Sequence, residues 1–82
     1  MRTSTKGLAL NFDQEVPSGT VNGSNTNFTL SQTPYSAKAV IVFLDGIVQT
    51  FTTDWSISGT TLTFVTAPAA GQKPYVWFLR KT

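Results

Sequence analysis

The side chains able to do acid–base, nucleophilic or metal chemistry are few. The 82-residue chain has no histidine and no cysteine, and its only carboxylates are Asp13, Glu15, Asp45 and Asp54. Without Cys or His there is no disulfide, no thiolate nucleophile, no Ser-His-Asp relay and no N/S metal site of the usual kind. Two carboxylates have local work: Asp45 precedes Gly46 in a type I′ hairpin turn, and Asp54 suits an Asx turn ahead of a strand. Asp13 and Glu15 remain, at the edge of an extended N-terminal segment. A glycosidase needs two carboxylates held about 5 to 9.5 Å apart across a sugar, and nothing in this pattern holds them so. The loop oxygens of Asn22, Asn25 and Asn27 have no acidic neighbour to make a calcium site. The expectation is a protein with no catalytic residues, no metal and no cofactor. Tyr35, Trp55, Tyr75 and Trp77 are the aromatic residues suited to sugar stacking, and of these Tyr75 and Trp77 are the candidate ligand-stacking pair.

Charge gives little purchase for a charged partner. Net +2 comes from Arg2, Lys6, Lys38, Lys73, Arg80 and Lys81, split between the termini and two isolated sites. No basic stripe forms, so nucleic acid is not an expected partner. The longest apolar run, Ala39 to Leu44, falls far short of the roughly 20 residues a membrane helix needs, so no membrane partner is expected either. Met1 to Leu10 lacks the apolar core of a signal peptide, which points to synthesis in the cytoplasm. The sequons at Asn22 and Asn27 then read as turn and strand chemistry.

The elements that must position these residues are strands. Thr, Val, Phe, Ile and Trp fill the ordered stretches and Gly, Pro, Asn, Asp and Ser interrupt them, which is the pattern of a small antiparallel β-sandwich or jelly-roll-like domain. In Trp55 to Phe64, Gly59-Thr60 is a two-residue loop of the II′ kind. It pairs Ser58 with Thr61, Ile57 with Leu62, Ser56 with Thr63 and Trp55 with Phe64, so apolar residues share one face and hydroxyls the other. Trp55 is therefore expected in the core. The Asp45-Gly46 turn pairs Leu44 with Ile47, Phe43 with Val48, Val42 with Gln49 and Ile41 with Thr50, and here both faces are apolar. So are both sides of Tyr75 to Leu79, with Tyr75, Trp77 and Leu79 opposed to Val76 and Phe78.

A domain of two layers cannot hide both faces of both strands, so an interface with copies of itself or with another protein is expected. Its candidate residues are Ile41, Phe43, Val48, Phe51, Val76 and Phe78, with Leu8, Leu10 and Phe12 of the N-terminal segment. The chain divides as an arm over 1–14 and a sandwich over 15–82. The arm's alternating Leu8, Leu10 and Phe12 suit a strand added to this domain or to a neighbour.

The run from Pro17 to Leu30, then Val42-Phe43-Leu44-Asp45-Gly46, then Asp54 to Phe64, then Ala67-Pro68-Ala69-Ala70-Gly71, resembles a small β module of tailed-bacteriophage virion proteins. Such modules occur in tail fibres, head fibres and capsid decoration. The chain departs from their pattern at Thr50-Phe51-Thr52-Thr53, where a Pro-Gly turn is common. The resemblance implies a virion structural protein. A capsid decoration, cement or head-fibre subunit leads, with a tail-fibre or glycan-binding module as the alternative. It also implies a homo-oligomer, a trimer above others, and virion partners such as the major capsid protein.

Overall fold

The computed structural model describes residues 10–81, which form seven strands in two antiparallel sheets. In chain order they are β1 (Leu10–Glu15), β2 (Asn27–Thr29), β3 (Val40–Leu44), β4 (Ile47–Gln49), β5 (Trp55–Ser58), β6 (Thr61–Phe64) and β7 (Pro74–Lys81), with one 3-10 turn over Ala37–Ala39. One sheet has the order β1-β7-β3-β4 and the other β2-β6-β5. The protein is a small β-sandwich.

Both expected hairpins form in the expected register. β5 and β6 pair Trp55 with Phe64 and Ser58 with Thr61, and β3 and β4 pair Leu44 with Ile47 and Val42 with Gln49. The β3–β4 ladder stops there, because Thr50 turns away to accept the Asp54 N–H at its carbonyl (2.8 Å). Asp45 and Gly46 take φ values of 54° and 81°, the left-handed pair that a type I′ turn requires. In the next loop Thr52 has φ 68°, an unusual conformation for a β-branched residue. The loop is cross-tied by the Thr52 N–H donating to the Trp55 carbonyl (2.8 Å) and the Thr50 N–H to the Asp54 carboxylate (2.7 Å).

The core lies between the sheets. Val40, Val42, Val76 and Phe78 point inward from the four-stranded sheet, and Phe28, Trp55, Leu62 and Phe64 meet them from the other, with Leu30 beside them. Trp55 is in the core as its register demands, and its indole N–H reaches the Gln49 carbonyl of the opposite sheet (3.3 Å). Phe28 packs edge-on to Phe64, and Gly19 passes so close that a Cβ there would lie 2.4 Å from the Phe28 ring. A side chain at that position has nowhere to go.

Part of the expected arm belongs to the sandwich. β1 pairs along its whole length with β7, from Leu10 opposite Lys81 to Glu15 opposite Val76, so the division between residues 14 and 15 falls inside a strand. The reason is geometric: β7 is eight residues long and β3 covers only one of its edges, leaving a row of donors and acceptors that β1 satisfies. Residues 1–9, and with them Leu8, lie outside the described residues.

Candidate interaction face

The two outer surfaces of the sandwich differ in kind. On the three-stranded sheet the outward residues are Asn27, Thr29, Ser56, Ser58, Thr61 and Thr63, every one polar. That face is wet. On the four-stranded sheet the outward positions of β7 hold Tyr75, Trp77 and Leu79, those of β3 hold Ile41 and Phe43, β4 adds Val48, and β1 adds Leu10, Phe12 and Gln14. None of these carries a charge, and the next outward position of β7, opposite Leu10 at the strand's end, is Lys81. Val48 is 60% exposed, Phe12 52% and Ile41 42%.

The centre of this face is aromatic. Trp77 is flanked by Phe12, edge-on at 5.7 Å between ring centres, and by Phe43, tilted at 5.2 Å. The Trp77 indole N–H is buried beneath them with no acceptor among the described residues. At the end of the face nearest the Asp45-Gly46 turn, Val16, Phe43, Tyr75 and Trp77 line a groove of about 620 Å³ together with Asp45 and Lys73. The main chains there are tied together, the Asp45 N–H to the Lys73 carbonyl (3.0 Å) and the Lys73 N–H to the Asp45 carboxylate (2.9 Å).

Among the candidate interface residues, Leu10, Phe12, Ile41, Phe43 and Val48 come together on this face, and the stacking pair Tyr75 and Trp77 joins them. Val76 and Phe78 do not. Both are wholly enclosed between the sheets, so they hold the fold and present nothing to a partner, which corrects their placement among interface residues. Phe51 lies apart from this face, half-buried, packing on Trp55 at 4.9 Å and on the edge of the core. Leu79 and Val16 were missed. Leu79 shares the parity of Trp77 and was findable from the alternation of β7, whereas Val16 follows the end of β1 and no pattern singles it out.

The four carboxylates are all engaged in holding loops and strands. Asp13 forms an ion pair with Arg80 across β1 and β7. Glu15 accepts from the Ser31 N–H (2.8 Å) and hydroxyl, Asp54 from Thr50, and Asp45 from Lys73. The Asn loop is likewise knitted to itself: the Asn22 side-chain oxygen accepts from the N–H groups of Ser24 and Asn25 (both 2.9 Å), and the Asn25 amide donates to the carbonyls of Thr20 and Asn27. Among the described residues no three acidic groups gather as a metal site would need.

What emerges is a β-sandwich that presents one mainly apolar, aromatic-centred face to its surroundings. Residues 11–81 match the model of the phage T7 tail fibre protein, N-terminal domain. The chain belongs to that family and is a tailed-bacteriophage virion module. No curated protein and no solved structure matches it.

Proposed function

We propose that the chain is a non-catalytic structural component of a phage tail fibre that attaches to a neighbouring virion protein through the outer face of its four-stranded sheet. The family match supports the tail over the capsid decoration or head-fibre role that led at the sequence level. The observation that carries the attachment is the contrast between the two outer surfaces. A soluble monomer rarely leaves an uncharged apolar patch of this extent open to water, and such patches mark protein–protein contact. The engagement of every carboxylate in the chain's own scaffold supports the absence of a catalytic role. The glycan reading draws less support, because both flanks of Trp77 already carry a phenyl ring.

The test is incorporation into the particle. Val48→Asp places a charge on the β4 side of the face without touching the core, while Ser58→Asp does the same on the wet face. Particles purified from phage carrying each variant are expected to lose the Val48→Asp chain by at least about tenfold, the effect of roughly 1.4 kcal/mol at an interface, and to keep the Ser58→Asp chain. Equal amounts of both in the particles overturn the reading.

A further inference from the structure

We propose that Asn22 is a latent modification site: its side chain closes on the Gly23 nitrogen to form a succinimide when the loop over 21–26 opens, and the folded loop holds that reaction off. The inference is independent of what the outer face of the four-stranded sheet binds.

The sequence singles out the residue. The chain has four asparagines, and only Asn22 is followed by glycine; Asn11, Asn25 and Asn27 precede Phe12, Thr26 and Phe28. A glycine on the C-terminal side has no Cβ to obstruct ring closure and leaves the backbone free to reach the geometry the ring needs. The Gly23 nitrogen gives up its proton and attacks the Asn22 Cγ. The bond between them forms, the Cγ–Nδ2 bond breaks, and Nδ2 takes up the proton and departs as ammonia. Water then opens the ring at either carbonyl, leaving aspartate or isoaspartate at position 22. No other reagent is consumed, and Asn22 and Gly23 are both exposed to water.

In the folded loop both reacting groups are engaged. The Gly23 N–H donates to the carbonyl of the fully buried Pro68 (2.9 Å), a bond the nitrogen must break before it can lose its proton. The Asn22 side-chain oxygen is held by the Ser24 and Asn25 N–H groups, which fixes its Cγ relative to the main chain. Asn25 fastens the two ends of the loop: its amide donates to the carbonyls of Thr20 (3.1 Å) and Asn27 (2.9 Å), and its oxygen accepts the Asn27 N–H (3.1 Å). The Thr26 carbonyl accepts the Phe64 N–H (2.8 Å) and anchors the loop on β6. Ring closure therefore waits for local opening, and its rate is the open-loop rate multiplied by the fraction of time the loop is open.

The two products act differently on the fold. Both hydrogen bonds to the Asn22 side chain use its oxygen, which an aspartate also offers. Isoaspartate instead routes the main chain through Cβ, and the added carbon draws the Gly23 N–H away from the Pro68 carbonyl. The loop then cannot close again on that bond.

The test follows Asn22 by peptide mass spectrometry, with isoaspartate resolved by chromatography, in the 82-residue chain incubated at mildly alkaline pH with and without denaturing guanidinium chloride. Conversion at Asn22 is expected to be at least about tenfold slower in the folded chain, and in both conditions to precede any at Asn25 or Asn27. Gly23→Ala in denaturant should slow it severalfold, because the route runs through the ring. Asn25→Ala removes the fastening amide and should speed conversion in the folded chain severalfold with the circular dichroism unchanged. Should Asn25→Ala fail to fold, the wild-type chain in denaturant below its unfolding transition gives the second reading, the rate at Asn22 rising there while the core is still closed. Equal rates in the folded and denatured chain, a folded rate that loosening the loop does not move, a denatured rate indifferent to Gly23→Ala, or loss at Asn25 or Asn27 ahead of Asn22 overturns the proposal.

Discussion

Single residues show where this fold holds strain and where it tolerates none. Gly19 is confined by the Phe28 ring, and beside it Ser18 and Thr29 exchange two 2.8 Å hydrogen bonds that tie this segment to the end of β2. Thr52 is the opposite case. Its φ of 68° is the region in which an L side chain crowds the following carbonyl, at a cost of about 1–2 kcal/mol. Three hydrogen bonds from Thr50, Thr52 and Asp54 keep it there. Removing the side chain relieves the crowding but gives the unfolded chain more freedom, worth about 0.5–1 kcal/mol in the other direction. The balance favours Thr52→Gly by roughly 0.5–1 kcal/mol, a rise in Tm of about 2 to 8 °C for a domain of this size. Calorimetry checks it, and a Tm that stays or falls shows that the Thr52 side chain compensates its own backbone.

The elements divide between those that hold the molecule together and those that face outward, and β7 does both. Along it, Val76 and Phe78 are sealed in the core while Tyr75, Trp77 and Leu79 lie on the outer face. Phe78→Ala is expected to cost about 3–5 kcal/mol, since the cavity it leaves is walled by both sheets. Val48→Ser, on the same sheet but pointing out, should change stability by less than about 0.5 kcal/mol. Urea titration of the two variants measures the contrast, and comparable losses would mean that the outer face is packed within the protomer after all. The same two-sidedness set the limit of what the amino-acid order conveyed. In β5 and β6 the alternation of Ile57 with Ser56 and Leu62 with Thr61 marks the inner face, and the II′ loop fixes the partners, so register and burial were both legible. In β3, and from Tyr75 to Leu79 of β7, every position is apolar. Periodicity there shows that two faces exist without saying which is core, and Val76 and Phe78 were set among interface residues for that reason. β1 had the converse problem: Leu10 and Phe12 alternate cleanly, but an edge strand with one apolar side fits its own sheet or a neighbour's equally well. Only the unoccupied edge of β7 settles it, and that edge is a property of the assembled sheet. The Asp13–Arg80 pair was hidden for the same reason, being made by strands at opposite ends of the chain.

At the scale of the whole molecule the two outer surfaces set how it associates. The sandwich keeps a polar layer of Ser, Thr and Asn on one side and a mainly apolar, aromatic-centred layer on the other. Contacts made through such a face draw on the removal of apolar surface from water, and that driving force does not depend on charge. Raising the salt from 0.1 to 1 M shortens the screening length from about 10 Å to about 3 Å and would strip away attraction between a basic chain and an acidic partner. Here it has nothing to screen. Retention of the chain on the particle is expected to change by less than about threefold over that range, and to strengthen in ammonium sulfate, which favours burial of apolar surface. Release of the chain from particles washed in a NaCl series measures it. A loss of tenfold or more would move the contact off the four-stranded face and onto the scattered cations Lys38, Lys73 and Arg80, whose attraction to a partner is the kind that salt removes.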